Sequence, residues 1–205
     1  MGASRWSAAA AALLLAMALV GCGGSGATTV TYAPTPTWQA AAGAPGVTTA
    51  TTPGWSQYRD PSYGFVIGFP TNASINEGPQ QGATRLVSWR LASQPGGADE
   101  ATLEVTATTQ ANASLCAHYT AGTTVALADG VTGYQQDNLA AATSANGSGQ
   151  PQVVLVVVHK GLLSIITLSG STPANTFMQR WGSVWSHVLA TFQPGQGPAG
   201  AKPCG

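Results

Sequence analysis

The chain has 205 residues, with 7 Lys+Arg, 7 Asp+Glu and a formal net charge of zero. Charged residues make up 7%, against roughly 25% in an average soluble protein. So few Lys and Arg leave no basic footprint for nucleic acid and no polybasic patch for anionic lipid. With so few ionisable side chains, a crowded acid/base or metal centre is not expected either.

Arg5 supplies a positive start, and Ala8 to Val20 is an uninterrupted apolar run. A bilayer span needs about 20 such residues, so this run fits the apolar region of a secretory signal better than a membrane helix. It ends in Leu19-Val20-Gly21-Cys22, which resembles the lipobox of bacterial lipoproteins. That resemblance implies that residues 1–21 are a signal peptide cleaved before Cys22. It also implies acyl chains such as palmitate on the Cys22 sulfur, and an extracytoplasmic protein anchored to the cell membrane. Several acyl chains on one Cys anchor stably where a single chain binds only marginally. The alternative is an ordinary signal peptide with a chance Cys.

Residues 23–54 contain no charged side chain and repeat Gly, Ala, Thr and Pro without apolar periodicity. The segment 22–54 is therefore expected to be a disordered tether behind the lipidated Cys. Trp38 is its one tryptophan. Residues 55–193 are long enough for one globular domain. Residues 194–205 form a Gly/Pro-rich tail ending in Lys202-Pro203-Cys204-Gly205.

Within the domain, Tyr63, Phe65, Ile67 and Phe69 alternate with smaller residues up to Pro70, which predicts a strand. Val87, Trp89 and Leu91 alternate with Ser88 and Arg90. Leu103, Val105 and Ala107 alternate with Thr102, Glu104 and Thr106. Asp129-Gly130 suits a hairpin between Val125–Leu127 and Val131–Gln135. Val153 to Val158 is apolar on both faces, as in a strand covered on both sides. Lys160-Gly161 would turn it into a partner running from Leu162 to Leu168. Ser171-Thr172-Pro173 reads as a helix start with a hydroxyl cap. Phe177, Trp181, Val184, Trp185, Val188, Leu189 and Phe192 then form one helical stripe. The fold class is α+β: an antiparallel β-sheet covered by a C-terminal amphipathic helix, with a shorter helix near residues 111–119 or loops on the other side.

The run Tyr58-Arg59-Asp60-Pro61-Ser62-Tyr63-Gly64-Phe65-Val66-Ile67-Gly68-Phe69-Pro70 resembles the opening motif of PsbP-like domains. The closing hairpin, the amphipathic helix and Phe192 are similar too. The resemblance implies an α/β/α sandwich. Family members often carry a Trp soon after the Pro, where Thr71-Asn72-Ala73-Ser74 stands here. No partner-contact residue carries over, so the resemblance speaks for fold and not for function.

Cys116 and Cys204 remain once Cys22 is lipidated. They form either a bridge or two free thiols, and an even pair in an extracytoplasmic protein favours the bridge. Cys116-x-His118 lacks the spacing of a structural zinc site, so no metal and no cofactor are expected. His187 lies off the helical stripe and His159 borders a turn; both read as solvated. No Gly-x-Ser-x-Gly elbow, His-Glu-x-x-His or Walker loop occurs, and an enzyme is not expected. Trp55, Tyr58, Tyr63 and Tyr134, with Gln135 and Asn138, could line a ligand surface where aromatics stack on sugar rings. Core packing is the competing reading for them.

These features lead to a non-enzymatic binding or assembly module for an envelope protein partner at the membrane. A cell-wall glycan or small-ligand module is the alternative. A hydrolase would need a Ser–His–Asp constellation in a pocket, and an inert structural surface protein is the fourth reading.

Overall fold

The computed structural model describes residues 37–92, 99–110, 116, 122–139 and 150–204. The signal peptide, Cys22, the first part of the tether and the helix expected near 111–119 (Cys116 apart) lie outside the described residues. Eleven strands and one long helix are described: β1 (Gln39–Ala40), β2 (Val47–Thr49), β3 (Trp55–Arg59), β4 (Val66–Pro70), β5 (Ser74–Glu77), β6 (Thr84–Ala92), β7 (Asp99–Thr108), β8 (Thr123–Ala126), β9 (Thr132–Asn138), β10 (Gln152–His159), β11 (Leu162–Gly170) and α1 (Ala174–Thr191).

Eight strands build one antiparallel sheet in the order β1-β5-β6-β7-β11-β10-β9-β8, and β2-β3-β4 form a second, smaller sheet. This is an α+β fold, mostly antiparallel sheet with one C-terminal helix. The alternating strands behave as their pattern requires. Trp89 stands opposite Leu103, Leu103 opposite Leu168, and Leu168 opposite Val153. Val87, Val105, Ile166 and Leu155 form the next inward row. All eight side chains are fully buried. Each such burial contributes about 1.5–3 kcal/mol. Trp89 is the centre of the core, with the Tyr58 ring edge-on at 5.5 Å and the Phe69 ring at 5.5 Å. On the opposite face of β10, Val156 is buried while Val158 is 48% exposed. The cover expected on both sides of that strand is therefore uneven.

The second layer is the small sheet together with α1. Phe177, Trp181, Val184, Trp185 and Val188 are its buried stripe, as the spacing predicts. The close contact of α1 with β4 depends on Gly68. A Cβ there would lie 2.6 Å from Thr191 Oγ1 and 2.8 Å from His187 Nε2. In its absence the Gly68 N–H donates to Thr191 Oγ1 at 3.1 Å. The helix start differs from expectation. No side chain caps it, and the Thr172 hydroxyl instead accepts from Trp181 Nε1 at 3.1 Å. A buried indole N–H left unpaired costs about 1–3 kcal/mol, whereas a missing cap at an exposed end is replaced by water.

One boundary is corrected. Residues 37–54 are not free tether: β1 pairs with β5 and β2 with β3, and Ala41 and Ala44 are buried in the core. Trp38 lies under the Arg90 guanidinium, 4.1 Å from the ring centroid. Strands of two and three residues are too short to show a period, and alanine reads as neutral until a neighbour buries it. The tail is also laid against the domain. Gln193 bridges Val66, and the Gln196 N–H donates to Tyr63 O and the Gly197 N–H to Lys160 O, each at 3.0 Å. Only glycine fits at 195, where a Cβ would lie 2.2 Å from Tyr63 O. Cys204 then reaches Cys116 at disulfide distance, S–S 2.08 Å.

Candidate functional site

The motif around Asp60 resolves into a buried polar knot. Asp60 Oδ1 accepts the N–H groups of Ser62 at 3.0 Å and Tyr63 at 2.7 Å, a turn in which a short acidic side chain replaces a backbone acceptor. Gly64 closes that turn with φ of 73°. Asp60 Oδ2 faces Arg85 Nε at 2.9 Å. Arg85 Nη2 donates to Glu77 at 2.6 Å and to the Tyr58 hydroxyl at 3.1 Å, and Nη1 donates to Gly78 O. Tyr58 donates to Glu77 at 2.9 Å.

Burial pushes the Tyr58 phenol well above its ordinary value, and the hydrogen bond to Glu77 adds to that rise against the opposing pull of Arg85. Burial works against the Arg85 charge, but its hydrogen bonds to Asp60 and Tyr58 outweigh it and its pKa rises. Arg85 is 7% exposed and Asp60 1%. With every donor of the knot turned onto a neighbour in the fold, it ties β3, β4, β5 and β6 together and offers nothing to a ligand. The signal for it is readable in the sequence: the parity that sends Val87, Trp89 and Leu91 inward also sends Arg85 inward, and a buried guanidinium requires carboxylates.

Of the six residues expected to form a ligand surface, the five with described side chains are not brought together. Tyr58 is part of the knot, and Tyr63 is buried with its hydroxyl donating to Ala83 O at 2.6 Å. Trp55 stacks on His187, ring centroids 3.5 Å apart and planes 21° apart. Gln135 accepts the Trp185 indole N–H at 2.8 Å and donates to Asp137 at 2.9 Å. Tyr134, one residue away on β9, therefore faces the opposite side of the sheet. The side chain of Asn138 lies outside the described residues.

His187 is also corrected. It is half-buried rather than solvated, and its Nε2 is enclosed without a hydrogen-bond partner among the described residues. Burial lowers its pKa. In the unfolded chain it titrates near its ordinary value of about 6.5. Between that value and the lower folded one, the unfolded state binds more protons. The stability of the neutral Trp55–His187 stack is thus complete above about pH 6.5 and declines as the pH falls through the window below it. Urea midpoints from about pH 7.5 down to pH 5 should show this decline, and His187→Phe, which keeps a ring on Trp55, should flatten part of it. An identical slope in His187→Phe would exclude the imidazole as its source.

An open cavity of about 640 Å³ lies where the end of β4 meets α1. Pro70, Trp181 and Val184 contribute apolar wall, and Thr71, Asn72 and Ser183 contribute hydroxyl and amide groups. Its one cation, Arg180, pairs with Glu100. The cleft therefore presents shape and neutral hydrogen-bonding groups, with no acid/base pair in its lining. Among the described residues no group of three or more His, Cys, Asp or Glu could hold a metal. No described helix is long and apolar enough to cross a membrane. Comparison with protein-family models, curated proteins and solved structures finds no match.

Proposed function

We propose that this chain is an extracytoplasmic lipoprotein, anchored through Cys22, whose domain is a non-enzymatic binding module for a protein partner in the cell envelope. The observation that carries the binding role is the cleft at the β4–α1 junction. It is open, about 640 Å³ in volume, and its one charge is neutralised in place. Such a surface fits a neutral peptide segment docked by apolar and amide contacts rather than by charge steering. The lipid anchor rests on Arg5, the apolar run and Leu19-Val20-Gly21-Cys22. A cysteine pair at disulfide distance fits an oxidising compartment. The antiparallel sheet with its C-terminal helix supports the likeness to PsbP-like domains as the fold on which the module is built.

The test is in-cell crosslinking of the full chain followed by mass spectrometry, with Cys22→Ala removing the anchor and Ser183→Arg obstructing the cleft from an exposed helix position. One membrane protein captured by the unaltered chain and lost in both variants is the expected result. Capture of glycan without protein would replace the reading by a wall-binding one. Capture unaffected by Ser183→Arg would remove the cleft from it.

A further inference from the structure

Of the seven basic residues of the chain, three are committed to partners within the fold. Arg85 is locked between Asp60 and Glu77, Arg180 faces Glu100, and Arg90 covers Trp38. Arg59 and Lys160 are not committed in this way. Together with His159 they line one cavity of about 200 Å³, and none of its lining residues is acidic. In a chain of zero net charge, three basic side chains without a carboxylate are a marked local excess.

Three separate segments create this convergence. Arg59 ends β3, and one weak hydrogen bond from its Nη1 to Gly64 O at 3.4 Å orients the guanidinium. His159 and Lys160 sit at the tip of the β10–β11 hairpin. The tail runs between them, fastened to Tyr63 O on one side and to Lys160 O on the other, and Pro194 to Gln196 complete the wall. Lys160 adopts a φ of 43°, the one left-handed non-glycine residue described. Asn or Gly would take that turn position without strain. The turn accepts the strain of a lysine there, and that lysine is part of the cavity lining. Bringing cations together without a counter-ion is unfavourable, and a bound anion reverses the sign of that term.

We propose that this cavity binds a phosphate group. The planar guanidinium fork of Arg59 matches two phosphate oxygens, Lys160 supplies a point charge, and His159 supplies a ring N–H donor. The cavity has room for a single phosphate group and is open to solvent, so affinity is modest and salt-dependent. The phosphate is carried either by a free ester or by a lipid headgroup, and the two sources are separable by experiment.

The full chain carrying Cys22→Ala, so that no anchor inserts, is titrated with inorganic phosphate and, separately, with phosphatidylglycerol-containing vesicles against phosphatidylcholine vesicles. Binding is read by calorimetry and by NMR shifts at Arg59 and Lys160. Saturation by phosphate at a dissociation constant on the order of 1 mM at low salt is expected. Arg59→Gln and Lys160→Asn should each weaken it roughly tenfold, the loss of one charge-assisted contact. Lys160→Asn relieves the turn and should fold at least as well as the parent. Arg90→Gln, outside the cavity, should change nothing. Binding of phosphate alone assigns a soluble ester, and binding that extends to the anionic vesicles assigns a headgroup. No saturable shift with either probe, or equal affinity in Arg59→Gln and Lys160→Asn, overturns the proposal.

Discussion

Arg85→Met should cost about 3–5 kcal/mol of stability, the range for removing one partner of a buried ion network. The substitution removes the one cation between Asp60 and Glu77 and leaves Asp60, fully buried, with a charge and no counter-charge. The Tyr58 hydroxyl loses its contact with Nη2, and Gly78 O loses its donor. Urea unfolding of the single variant measures the loss. Adding Asp60→Asn and Glu77→Gln should recover much of it, because neutral amides end the charge imbalance. The carboxamide introduced at position 60 would still offer a side-chain oxygen to the N–H groups of Ser62 and Tyr63. A single variant that loses less than about 1 kcal/mol would show the knot to be solvated in solution, since exposed ion pairs contribute no more than that.

Cys204→Ser should be the other large effect. Cys116 and Cys204 are separated by 88 positions, and cross-linking across a loop of that size restricts the unfolded chain by about 4–5 kcal/mol in the loop-entropy treatment. That figure is an upper bound, because unfolded chains retain structure. The loss also has a local signature. The amides of Gln196 and Gly197, which donate to Tyr63 O and Lys160 O, should exchange with solvent faster once the end of the tail is released. The unaltered protein under reducing agent should reproduce both changes. Two free thiols in the intact mass of the untreated protein, with no shift on reduction, would contradict the bridge.

These effects differ in how visible they are along the chain. The disulfide needs only a count of cysteines and a compartment, so Cys116 and Cys204 stand out before any fold is known. Arg85 is visible through parity alone, but its partners are not. Asp60 lies 25 positions before it and Glu77 eight, and nothing local says that either faces inward. The aromatic ligand surface fails for the same reason. Trp55, Tyr58, Tyr63 and Tyr134 all occur near strand ends among amides, a pattern shared by ligand platforms and cores. Pairing decided between them. Tyr58 pairs with Ile67 inside the small sheet, and Trp55 meets His187 across the helix.

The amino-acid sequence by itself determined the long alternating strands, the double-sided apolar strand and its hairpin, and the amphipathic helix. Each of these rests on a period that repeats within the element, and hydrophobic burial enforces such a period locally. Only the tertiary structure decided that residues 37–54 join the fold and that β3 and β4 form a sheet of their own. It alone set His187 against Trp55, and it alone gathered Arg59, His159 and Lys160 around one cavity. Those outcomes depend on contacts between segments about 100 or more positions apart, on strands of two or three residues, or on which sheet a strand joins. For such contacts the free energy lies in the meeting of two surfaces, and neither surface carries a pattern that names the other.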